Sequence, residues 1–339
     1  MKQHIAYTFV RNFAGDFTPG QHQYAAAGTD AAYEAFCKNH QLSPDNDILS
    51  DGTRALWIGP RDAKKVMIHL HGGGYVLPAA GYVFEYLWTM REELKKNLPE
   101  SQFGPDSNPV LPSILILSYD LSPGAQFPRQ LIQANMLLNH MLTVRKYAPK
   151  DLIISGDSAG ANLALALLSH IVHPHAAVPK SDFPLQEKFL GLILISPWAH
   201  FDYSTPAFTR NAIKDDISIP FLENCSKAFL GTAYPHPQDK DTPYTQPAFA
   251  PSEWWKDIPA DQILITGGED EVLVDGIRDL HRHLAEGLGA SSDGISGSKH
   301  IELVIAKGEA HESPMLDTAL GIQTGESAKR IEGWVRSKL

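Results

Sequence analysis

Cysteine is scarce: 339 residues hold two, Cys37 and Cys225, far apart and without the spacing of metal ligands. That excludes a disulfide framework or a cysteine-based metal site, and the expectation is two buried free thiols. Long hydrophobic runs are missing as well. The longest, such as 190–195, are strand-length. A membrane-spanning helix needs roughly 20 apolar residues, so no stable membrane insertion is expected. Positive charge is in deficit, with a net charge of −10. An acidic surface repels phosphate backbones and argues against nucleic acid as a partner. The opening residues, MKQHIAYTFVRNFAGDF, lack the continuous apolar stretch of a signal peptide, so a cytoplasmic location is expected. Repeats of solenoid or propeller period are also absent.

What is present is an ordinary globular mixture, 43% hydrophobic and 20% charged, long enough to bury a large core without crosslinks or metals. Short aliphatic runs recur at 55–58, 66–69, 114–118, 152–155, 190–195, 262–266 and 301–305. Most are apolar on both faces, as strands of a covered parallel sheet must be. Helical patterns fill the gaps at 82–98, 129–147, 159–172, 275–288 and 325–339. This alternation predicts a mostly parallel, doubly wound α/β sheet. Two aromatic-rich segments break the rhythm: 1–50, with Phe13, Phe17, Tyr24, Tyr33 and Phe36, and 200–255, with Phe201, Tyr203, Phe208, Phe221 and Phe229. They are expected to form a helical cap over a core made of 51–199 and 256–339. Segments 97–113 and 290–299, rich in Gly, Pro, Ser and Asp, are expected as surface loops.

Residues 156–160 read Gly-Asp-Ser-Ala-Gly between a predicted strand and a predicted helix. A serine displayed on so tight a turn needs small flanking residues, which gives Gly156 and Gly160 a steric reason. Ser158 is therefore the candidate nucleophile. Upstream, the strand 66–69 runs into Leu70-His71-Gly72-Gly73-Gly74-Tyr75. Consecutive glycines at a strand end suit backbone N–H groups aimed at a ligand. In acyl transfer they would meet the charge growing on a carbonyl oxygen, each fixed donor contributing about 2.7–4 kcal/mol. Gly73, Gly74 and Ala159 are assigned to this oxyanion hole. His71 is expected to organise the loop.

His-Gly-Gly-Gly ahead of Gly-Asp-Ser-Ala-Gly resembles the hormone-sensitive-lipase-like family of carboxylesterases, of the α/β-hydrolase fold. Tyr119-Asp120-Leu121-Ser122-Pro123, Phe127-Pro128 and Ser196-Pro197-Trp198 are similar to further family segments, so the resemblance covers nearly all of the chain beyond residue 50. It implies hydrolysis of short- to medium-chain esters beneath a helical cap, with no metal or organic cofactor, by a monomer or homodimer.

A serine hydroxyl needs a positioned base, and this fold orders its triad as serine, acid, histidine. His311, in the turn after the run 301–305, takes that place. The family often has Gly-Phe after this histidine, where Glu312 and Ser313 stand here, a departure expected to affect pocket lining. The acid belongs after 262–266, in Gly267-Gly268-Glu269-Asp270-Glu271-Val272-Leu273-Val274-Asp275. The family shows Asp-Pro-Leu-x-Asp here. Matching Leu273 and Asp275 to it selects Glu271, whereas counting from the strand end selects Asp270. Glu271 is preferred because its match extends to the leucine and the helix start, and Asp275 is expected to cap that helix. A lactonase, an arylformamidase or an acyltransferase would carry the same triad. The same frame also serves non-catalytic receptors such as the plant gibberellin receptors, which resemble this family but lack a functional histidine.

Overall fold

The computed structural model describes residues 2–97, 111–181, 187–234, 240–290, 300–322 and 325–339. Three helices, α1 (Lys2–Asp16), α2 (Pro19–Ala25) and α3 (Thr29–Asn39), precede β1 (Asn46–Ile48). Strands β2 (Arg54–Ile58) and β3 (Val66–Leu70) lead to α4 (Gly81–Lys96), and β4 (Ser113–Ser118) leads to α5 (Arg129–Asn139). β5 (Leu152–Asp157) runs directly into α6 (Ser158–Val172). After β6 (Gly191–Ile195) come α7 (Pro206–Arg210), α8 (Ile219–Leu230) and α9 (Thr242–Thr245). Helix α10 (Val274–Leu288) joins β7 (Gln262–Gly268) to β8 (His300–Ala306), which is followed by α11 (Ser313–Leu320) and α12 (Glu326–Arg336).

Each of the seven aliphatic runs is a strand. The eighth, β1, has too little apolar character to stand out and pairs antiparallel with β2. The sheet order is β1-β2-β4-β3-β5-β6-β7-β8, with β2 antiparallel to β4 and every later pairing parallel. Alternate residues serve opposite layers: Ala55 and Trp57 face the core shared with α5, α6 and α10, while Leu56 and Ile58 face the one shared with α3, α4 and α12. Burial on both faces explains the unbroken apolar runs. The helix predicted over 129–147 is α-helical to Asn139 and then widens into a π turn, His140–Val144.

The segment 1–50 divides. Tyr33 and Phe36 of α3 belong to the core against α4, and β1 lies in the sheet. Helices α1 and α2 instead pack on α8, with the His22 ring edge-on to Phe221 at 5.9 Å. Segment 200–255 divides likewise, since α9 packs on α6. Cys37 and Cys225 are buried free thiols. Segments 98–110 and 291–299, which hold most of the two expected surface loops, lie outside the described residues. Among the described residues no helix is long and apolar enough to cross a membrane.

Candidate active site

The turn from β5 to α6 sets Ser158 at φ +48°, the left-handed region. Such a conformation is costly for a residue with a Cβ and persists only where its surroundings enforce it. Here the enforcement is steric. A Cβ on Gly160 would lie 1.9 Å from the Leu70 carbonyl oxygen, and one on Gly156 would lie 2.4 Å from the Gly160 carbonyl carbon. Helix α6 therefore packs its first turn onto the end of β3, with the Ser158 hydroxyl at the helix's positive end.

That hydroxyl lies 3.0 Å from His311 Nε2. On the other side of the ring, Nδ1 is 3.1 Å from Glu271 Oε2. A carboxylate only accepts, so Nδ1 carries the proton and Nε2 is left to accept from Ser158. Glu271 is wholly buried, and its Oε1 accepts from the Ser196 hydroxyl at 2.6 Å and from the Gly268 N–H. Burial disfavours the charged imidazole, but the hydrogen bond and charge of Glu271, with Asp215 and Asp157 behind it, outweigh this and raise the His311 pKa above 6.5.

Of the two carboxylates left open by the sequence, the structure brings Glu271 to His311. Asp270 turns outward and pairs with Lys214 at 2.7 Å. The expectation for Asp275 is corrected: its carboxylate accepts the Ala207 N–H at 2.8 Å and caps α7, not α10, whose own flanking residue is Leu273. The reason is that Asp275 already lies inside the first turn of α10, so its side chain is free to serve a neighbour.

The glycine loop after β3 takes left-handed backbone at Gly73, φ +94°, and Gly74, φ +60°. A Cβ there would strike Leu77 at 2.7 Å or the Cys225 sulfur at 2.5 Å. Asp157 Oδ2 accepts the Gly72 N–H at 2.8 Å, and its Oδ1 pairs with buried His69 at 2.9 Å. His71 stacks on Tyr119 at 4.1 Å, and the Tyr119 hydroxyl donates to the His71 carbonyl. Burial lowers the His71 pKa to about 4, so its ring is neutral and braces the loop. Ala159, in the first turn of α6, is buried.

A cavity of about 350 Å³ opens beside the site. Gly72, Gly73, Asp157 and Glu312 line it together with Phe9, Val10, His22 and Tyr82. It thus reaches the residue before Ser158 and the residue after His311. Glu312 lines it, while the Ser313 hydroxyl instead accepts the Ala310 N–H. Burial and then the Asp157 charge push the Glu312 carboxyl well above the usual range, so it is neutral. Of the aromatics in 200–255, Phe208, Phe221 and Phe229 belong to the core, and the aromatic lining of this cavity comes from Phe9 and Tyr82.

Ser196 and the His69–Asp157 pair escaped the sequence reading. Ser196 belonged to a noticed segment, but its partner is far away in the chain, and no local pattern links them. Among the described residues no cluster of side chains could hold a metal ion.

Compared with known proteins, the chain matches the family described as steryl acetyl hydrolase over residues 39–325, most of its length. The chain belongs to that family. It is 28% identical over 218 residues to an esterase of Acinetobacter venetianus, covering 63% of each chain. It is 22% identical over 259 residues to steryl acetyl hydrolase 1 of Saccharomyces cerevisiae, covering 74% of this chain and 54% of the yeast protein. The matched length is thus under two thirds of each of these relatives. Among solved structures, an esterase described as of the bacterial hormone-sensitive lipase family superposes with a TM-score of 0.65 at 18% identity, covering all of this chain and 98% of the other. At that identity the likeness establishes the α/β-hydrolase fold.

Proposed function

We propose that this member of the steryl acetyl hydrolase family is a serine hydrolase that cleaves carboxylic esters of small acyl groups, acetate foremost, through an acyl-enzyme on Ser158. The observation that carries the proposal is the chain of contacts Ser158 Oγ to His311 Nε2, 3.0 Å, and His311 Nδ1 to Glu271 Oε2, 3.1 Å. Ser158 attacks the ester carbonyl as His311 takes its proton. The oxyanion is met by the N–H groups of Gly73, Gly74 and Ala159. His311 passes the proton to the departing alcohol, then draws one from water, which releases the acid and restores Ser158. Every step uses groups of this chain, and no cofactor takes part. The acetyl preference draws on the names of the family and of the yeast relative. The apolar walls of the cavity suit an apolar alcohol moiety.

The proposal includes a cap drawn from 1–50 and 200–255 over the core 51–199 and 256–339. It is supported by the packing of α1 and α2 on α8 and by Phe9, Val10 and His22 in the cavity wall. We further propose a cytoplasmic location, since two buried free thiols suit a reducing compartment, and a monomer or homodimer, as the family resemblance implies.

Ser158→Ala tests the reading. Hydrolysis of p-nitrophenyl acetate should fall by about 10⁶-fold with the fold intact, and labelling by a fluorophosphonate probe should vanish. Turnover at the wild-type rate in the mutant would end the proposal. Lactones and N-formyl substrates assayed alongside assign the acyl class.

A further inference from the structure

Glu271 and His311 sit on two separate loops, after β7 and after β8. Both loops are gripped by one short stretch, residues 211–216, between α7 and α8. The Asn211 amide donates to the carbonyls of Glu269 at 2.9 Å and Glu271 at 2.7 Å. The Asp215 carboxylate accepts the Val272 N–H at 2.6 Å through Oδ2 and the His311 N–H at 2.8 Å through Oδ1. A third donor, the Asp216 N–H, reaches Oδ1 at 2.9 Å. Both side chains are fully buried. From α1, Arg11 donates to the Asp215 carbonyl oxygen at 2.8 Å, so the N-terminal helix holds the same stretch from outside.

We infer that Asn211 and Asp215 are positioning residues, a bracket that fixes Glu271 and His311 relative to each other across two loops that share no covalent neighbourhood. The inference rests on the proposed triad. Both are fully enclosed and bond the backbone of the two loops, so they act through the pair and not on the substrate.

Asp215 also acts through its charge. Burial raises its pKa, but its oxygens accept three backbone N–H groups and the side-chain hydrogen bond of Asp216 favours its ionised form, an arrangement that a carboxylate fits. The acidic groups facing His311 are Glu271 from the loop after β7, Asp215 from the bracket, Asp157 from the end of β5 and the adjoining Glu312, with Asp216 beside Asp215 and Glu312. Asp216 is kept neutral by burial and then by Asp215, and Glu312 is neutral as well. The basic groups nearby are taken: His69 pairs with Asp157, Lys214 with Asp270, and Arg11 bonds the Asp215 carbonyl. The Asp215 charge is one of those that hold the imidazolium.

Asp215→Asn keeps the shape, removes the charge and turns an NH₂ toward one of the N–H groups. Expected is a fall in kcat of about tenfold to a hundredfold with p-nitrophenyl acetate, the cost of a small misplacement at a reacting centre. KM should stay within about twofold, since ground-state contacts are untouched. The acidic limb of kcat, and the His311 midpoint read by NMR of labelled histidine, should both move to lower pH. Asn211→Ala drops two hydrogen bonds but keeps the charge, so kcat should fall while the limb stays in place. Asp216→Asn replaces a neutral group and should leave the limb where it is. An unmoved His311 midpoint in Asp215→Asn overturns the bracket, as does a kcat loss that disappears once the unfolded fraction from thermal melts is subtracted. If Asp215→Asn does not fold, an unchanged kcat in Asn211→Ala is decisive against it. Failure of the esterase reading would show separately, as wild-type turnover that survives Ser158→Ala, while the NMR midpoint would still test the bracket.

Discussion

Ser158 is held by its immediate surroundings, five consecutive residues and the strand end they press against, whereas Glu271 and His311 are held by side chains from distant parts of the chain. At the elbow, the left-handed φ of Ser158 and the contacts of Gly156 and Gly160 leave the backbone a single path. At the acid–base end, the Ser196 hydroxyl and the Gly268 N–H fix the Glu271 carboxylate, and Asp215 holds the backbone of His311. Local steric exclusion builds the first region. Long-range hydrogen bonding builds the second.

The contrast can be broken at either end. Next to the loss of Ser158 itself, the largest effect expected is from Glu271→Gln, which leaves the site's shape but removes the charge that is proposed to hold the imidazole tautomer. It should lower kcat by about 10⁴-fold. An effect of that size from Asp270→Asn instead would transfer the role to the neighbour. At the elbow, Gly160→Ala drives a methyl group into the backbone oxygens of Leu70 and His71, which cannot step aside. Urea unfolding should show a loss of about 3 kcal/mol or more, the upper range for overpacking. A variant of wild-type stability would mean that α6 can back away from β3.

Two smaller effects sharpen the comparison. As the proposed base, His311 must be neutral to act, and its environment raises its pKa above the usual 6.5, so activity should fall as pH drops through that raised midpoint. A pH–kcat profile reads this directly, and a limb below 6.5 would contradict it. The smallest effect is that of Asp270→Asn itself, which breaks a half-exposed ion pair with Lys214. Such pairs contribute about 0–1 kcal/mol, so its steady-state kcat should change by less than about threefold.

The sheet was legible because strands buried on both faces must be continuously apolar, a mark that most of β2 through β7 carry, while β8 at the far edge is only partly buried and admits Glu302. β1 does not, because an edge strand of three residues needs no apolar run. Ser158 and the glycine loop were legible because tight turns restrict side chains, and restriction leaves a pattern of residue types. Glu271 and Asp270 were not separable by the strand alone: both are acidic, and one step along a turn reverses which of them faces the core. Asn211 and Asp215 carried no signal, since an amide and a carboxylate in a polar stretch read as surface until the fold encloses them.

The order of strands and helices, the elbow and the glycine loop follow from the chain itself, because each is imposed by sterics and burial among near neighbours. Which carboxylate meets His311, which helices wall the cavity and what clamps the two loops were decided only by tertiary structure. The physical reason is that these depend on the direction of side chains brought together from far apart, and direction has no expression in a one-dimensional pattern.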